Sequence, residues 1–113
     1  MTELEKLKKY LDDNSYDCEM ANTHIINPYH FKEHRNEPDQ IIVYGPGHVR
    51  SWDVVCHDYS YGGPEGLLEL YGDLCTDVIG WLTANDMIRI LEYFKAKGSN
   101  WKPIDSLSDI EEK

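Results

Sequence analysis

The chain of 113 residues suits one domain, and its 41% hydrophobic residues are enough for a single core that closes without metals or disulfides. Lys+Arg 11 against Asp+Glu 21, a formal net charge of -10, excludes ordinary nucleic-acid binding, because displacing counterions from phosphates needs clustered cations. The same balance argues against an acidic partner and leaves two readings open: a surface acidic for solubility, or one that docks onto a basic protein.

In chain order, Thr2 and Glu5 have the spacing of a capping box, and Leu4, Leu7 and Leu11 follow at helical intervals, so a helix is predicted over about Glu3 to Asp12. The cluster Asp13-Asn14-Ser15 ends it, since these side chains compete for backbone hydrogen bonds. Tyr16 to Met20 alternates apolar and charged residues and reads as a half-buried strand. Residues 21–40 have no clear period. Gln40 to Tyr44 is a β-branched run ending at Gly45-Pro46-Gly47, so a second strand, a tight reversal and a third strand from His48 to about His57 follow. The third strand is apolar on both faces, as a central strand would be.

After Gly62-Gly63, Pro64 suits a first helical position, and Leu67, Leu68, Tyr71 and Leu74 form a helical stripe, so a second helix is predicted there. Val78 and Ile79 are ambiguous between loop and strand. Thr83 with Asp86 caps a third helix lined by Met87, Ile88, Ile90, Leu91 and Phe94, which Gly98 ends. The expected fold is α+β: an N-terminal helix, about three antiparallel strands, and two C-terminal helices packed on one face. Residues 1–103 form the domain and 104–113 an acidic flexible tail, with Trp101 pinning it to the body.

No secretory leader is expected in MTELEKLKKY, and no apolar run reaches the roughly 18 residues of a membrane span, so a cytoplasmic location with no membrane partner is expected. Cys18, Cys56 and Cys75 are odd in number and widely spaced, which reads as reduced and buried thiols.

Four groups of residues could carry chemistry. His30 and His34 lie four apart, a metal-ligand spacing, but Phe31 follows the first histidine where a metalloprotease would have glutamate. They leave open a small metal-binding protein or metal-dependent hydrolase, set against ordinary surface histidines. Cys56-His57-Asp58 is consecutive on a strand, so Cys56 and His57 point to opposite faces and cannot pair as nucleophile and base. Glu65, Glu69 and Asp73 recur every fourth residue along the predicted second helix, where their mutual repulsion invites a cationic partner. Tyr59 and Tyr61 bracket Ser60 in the glycine-rich turn and, with Trp52 and Trp81, suggest a contact patch, which could also serve self-association. The turn itself lacks the lysine and glycine spacing of a phosphate loop.

The run WDVVCHDYSYGGPEGLLELYGDL with DVIGWLTANDMIRILEYF resembles small uncharacterised proteins carried by phages and prophages of Gram-positive bacteria. The matching residues include Trp52, Asp53, Cys56, Ser60, Tyr61, Gly62, Gly66, Glu69, Gly80, Thr83 and Asp86. This resemblance implies an accessory protein that acts by binding a host or phage factor, for instance as an inhibitor of a host defence or nucleic-acid enzyme. The sequence-level expectation is therefore a non-enzymatic protein without cofactor, contacting a basic protein through Trp52, Tyr59, Tyr61, Glu65, Glu69 and Asp73.

Overall fold

A computed structural model describes residues 1–23 and 37–111. Helix α1 spans Glu3–Asp13 and starts with the capping box read from sequence, Thr2 accepting from the Glu5 N–H and Glu5 from that of Thr2. Five strands follow: β1 (Cys18–Ala21), β2 (Gln40–Gly45), β3 (Val49–Val55), β4 (Leu68–Gly72) and β5 (Ile79–Leu82). They pair antiparallel in chain order as a simple meander. Helix α2, Ala84–Lys97, begins at a second reciprocal capping box between Thr83 and Asp86 and stops at Gly98.

Two expectations are corrected. The sheet has five strands rather than three, and the predicted second helix is strand β4, so among the described residues one helix, not two, follows the sheet. The error has a physical source. Leu67, Leu68, Tyr71 and Leu74 fit a helical period, yet Leu68 and Leu70 against Glu69 and Tyr71 fit an alternation of two equally well, and a five-residue run between Gly66 and Gly72 is too short for periodicity to decide. Pairing decides instead: β4 fills the slot between β3 and β5, with Val54 opposite Leu70 and Leu68 opposite Leu82.

The core lies between the helices and one face of the sheet. Leu4, Leu7 and Leu11 of α1 and Met87, Ile90 and Leu91 of α2 meet Ile41, Val54, Leu68 and Leu70 in a single buried cluster. The helix starts are joined directly, because the Ala84 N–H at the head of α2 donates to Glu3 Oε1 at 2.6 Å. That bond, with the Lys6 ammonium second, holds the Glu3 carboxyl below the usual carboxylate range. On the opposite face, buried Asp53 in the middle of β3 accepts from Gln40 Nε2 at 2.9 Å, with the Arg50 guanidinium 3.5 Å away.

Residues 104–111, read from sequence as flexible tail, include buried Ile104. Its backbone N–H donates to the Leu74 carbonyl at 2.9 Å, and a 3-10 turn spans Leu107–Ile110. Among the described residues no helix is long and apolar enough to cross a membrane.

Candidate functional site

The turn after β3 is built to hold a shape. Ser60 is buried, and its Oγ accepts from the His57 N–H and donates to the His57 carbonyl, both at 2.9 Å, closing the loop on itself. A methyl group on Gly62, which sits at φ +90, would come within 2.9 Å of the Trp81 Cα. One on Gly80 would lie 2.2 Å from the Tyr61 Cβ, so the turn seats directly on β5 only because both positions lack side chains. The Tyr61 N–H donates to Glu69 Oε1 at 2.7 Å, and its carbonyl accepts from the Trp81 N–H at 3.1 Å.

Strand β5 meets this turn at a bulge: between the pairs Leu68–Leu82 and Leu70–Ile79, Gly80 and Trp81 share the stretch opposite Glu69. Trp81 there adopts φ +56, a left-handed conformation that is an outlier for a bulky side chain. The indole turns outward, 57% exposed, and stacks on the 52% exposed Tyr61 ring with centroids 5.4 Å apart and planes 11° from parallel. Tyr59, in the same turn, is 66% exposed.

The sequence-derived residues are divided by the fold. Tyr59, Tyr61 and Glu69 belong to this face, and Glu65 stands exposed in the 3-10 turn Gly63–Glu65 that precedes β4. The supposed helical stripe of Glu65, Glu69 and Asp73 does not exist: the three occupy a turn, a strand and the following turn, and Asp73 accepts from the Ser51 hydroxyl at 3.0 Å. Trp52 is not on this face. It is 4% exposed on the core side of β3. His30 and His34 lie outside the described residues. Among the described residues no group of three or more His, Cys, Asp or Glu side chains is placed to hold a metal ion.

No family model, curated protein or solved structure matches the chain. The site's chemistry therefore has to be read from its own groups. Burial pushes the thiols of Cys18, Cys56 and Cys75 up, the opposite of an activated nucleophile. The His57 Nδ1 accepts from the Tyr59 N–H at 3.1 Å. What the region does present is aromatic area in an acidic setting. Between Arg50 and Arg89 there is no lysine or arginine, while Asp53, Asp58, Glu65, Glu69, Asp73 and Asp77 all fall in that stretch. That cation-free interval is a sequence signal sharper than the helical stripe, and it spans the turn, β4 and β5.

A second concavity lies on the helix side. Tyr10, Asn14, Tyr16, Trp52, Leu74, Leu91, Phe94, Lys95 and Trp101 surround a pocket of about 440 Å³. Only Trp52 of these was singled out from sequence as a contact residue. The others come from the end of α1 and the segment before β1, the turn after β4, the second half of α2 and the segment after it, and no linear pattern joins them.

Proposed function

We propose that the protein is a non-enzymatic binding protein whose acidic face, centred on the Tyr61–Trp81 stack with Tyr59, Glu65 and Glu69, recognises a basic protein. The supporting observation is Trp81 itself. A tryptophan in the left-handed region costs on the order of 1–3 kcal/mol, and its indole points into solvent rather than into the core, so the fold gains little from keeping it there. Aromatic rings of low rotamer freedom, fixed by a closed turn, are suited to an interface centre, and the surrounding carboxylates suit a cationic rim. Such a partner includes an enzyme with a basic nucleic-acid groove. We further propose that the protein acts as a small phage-encoded accessory inhibitor of a host or phage factor of that kind.

The experiment is affinity capture from a bacterial lysate with wild-type protein beside a Tyr61→Ala, Trp81→Ala double variant. The expected result is a basic protein retained by wild type, released by raising salt to about 0.5 M, and absent with the double variant. Equal retention by both proteins, or retention only of neutral and acidic proteins, would remove the proposal. Sedimentation at several concentrations separates it from self-association, since loss of a dimer in the same double variant would assign the face to a second copy instead.

A further inference from the structure

The pocket on the helix side is independent of the acidic face and has a different chemistry. Its floor is apolar: Trp52, Leu74 and Leu91 are buried beneath it. Its sides are aromatic, with Phe94 and Trp101 edge to face at 5.5 Å and 89°, and Tyr10 and Tyr16 tilted at 6.4 Å. Trp101 is 41% exposed and stands at the rim. The pocket's size and its apolar lining with a few polar groups are those of small-molecule sites.

The polar groups decide which molecule. Among the described residues Lys95 is the only charged one in the lining, and it forms no ion pair with any of them. In a chain with nearly two carboxylates for each cation, a lysine left without a carboxylate partner beside an aromatic cavity is an available anion contact. The Trp101 indole N–H and the Tyr16 hydroxyl add donors. The Tyr10 hydroxyl is already committed, donating to the Glu92 carboxylate. That carboxylate and the overall charge of -10 repel each negative charge on a ligand, and the lining offers one ammonium to offset them, which favours a monoanion over a dianion.

We propose that this pocket binds a small monoanion, an aromatic carboxylate whose ring rests on Trp52 and Phe94 and whose carboxylate meets Lys95. Its source is either a free small molecule or the C-terminal carboxylate of a chain ending in an aromatic residue.

The test uses three probes of matched shape, 2-naphthoate, neutral 2-naphthamide and cationic 2-naphthylmethylammonium, titrated into the whole protein while the three indole N–H resonances are followed by NMR. Naphthoate is expected to shift Trp52 and Trp101 but not Trp81, and to bind about tenfold tighter than the amide. In Lys95→Met that preference should fall to within about twofold, with the amide's affinity unchanged and the Trp81 resonance in place as a check on folding. Tighter binding by the ammonium, a naphthoate preference that survives in Lys95→Met, or no shift of Trp52 and Trp101 at about 5 mM naphthoate would each overturn the assignment. An N-acetylated peptide ending in tryptophan that binds tighter than naphthoate supports the site and gives the carboxylate to a chain terminus; the reverse order supports it and gives it to a free molecule.

Discussion

Replacing Trp81 by alanine and by glycine separates the backbone strain at the β5 bulge from the ring it displays. Both variants lose the stack on Tyr61, an edge of about 0.5–1.5 kcal/mol for an aromatic pair, so that loss cancels between them. What remains is the backbone. At an ordinary strand position alanine is more stable than glycine by about 0.5–1 kcal/mol, because glycine gives up more conformational freedom on folding. At φ +56 the order reverses: alanine carries a left-handed penalty of about 1–2 kcal/mol that glycine does not. The net expectation is that Trp81→Gly exceeds Trp81→Ala by about 1 kcal/mol, or roughly 4 °C in Tm for a chain of this size. Urea denaturation read by the fluorescence of Trp52 and Trp101 gives the midpoints, and equal slopes establish that only stability has changed. A Trp81→Ala protein as stable as Trp81→Gly, or more so, would refute the strain at this bulge and with it the main support for the binding face. Both variants should lose partner capture alike.

The remaining expectations test the scaffold. Gly80→Ala sets a methyl group against Tyr61 and should destabilise the fold by about 1–3 kcal/mol while weakening capture; an unchanged urea midpoint would mean the turn has room to move. Gln40→Ala removes a donor from buried Asp53 and should cost about 1–3 kcal/mol, measured the same way, and a neutral result would show the carboxylate satisfied without it. The Glu3 carboxyl is held below its usual range in the folded state, so its contribution is present above the unfolded-state pKa and is lost as pH falls through the lowered folded value. Glu3→Gln should therefore be less stable than wild type by about 1 kcal/mol near neutral pH, with the gap closing in acid; a gap that widens on acidification contradicts the Ala84 linkage. The three thiols should react with iodoacetamide at neutral pH more slowly than free cysteine, since burial pushes each of them up, and a fast-reacting site would identify an exposed thiolate.

Local signals were legible wherever one residue acts on its own neighbours. Both capping boxes, the Leu4-Leu7-Leu11 stripe, the stop at Gly98 and the β-branched run of β2 were readable because caps, helical faces and turns are set within a few residues of chain. The strand β4 was not, since its short leucine-rich run satisfies two periods and only hydrogen bonding to β3 and β5 selects one. The same limit governs the candidate sites. Tyr59 and Tyr61 could be picked out as a contact patch, but tertiary pairing divided that patch, sending Trp52 inward and leaving Trp81 stacked outside on Tyr61. Composition alone determined the acidic character, because charge is a sum over residues and needs no geometry. The pocket walled by Tyr10, Trp52, Lys95 and Trp101 exists only in the folded chain, where segments 40 and more residues apart in sequence are brought together by a core that no local rule describes.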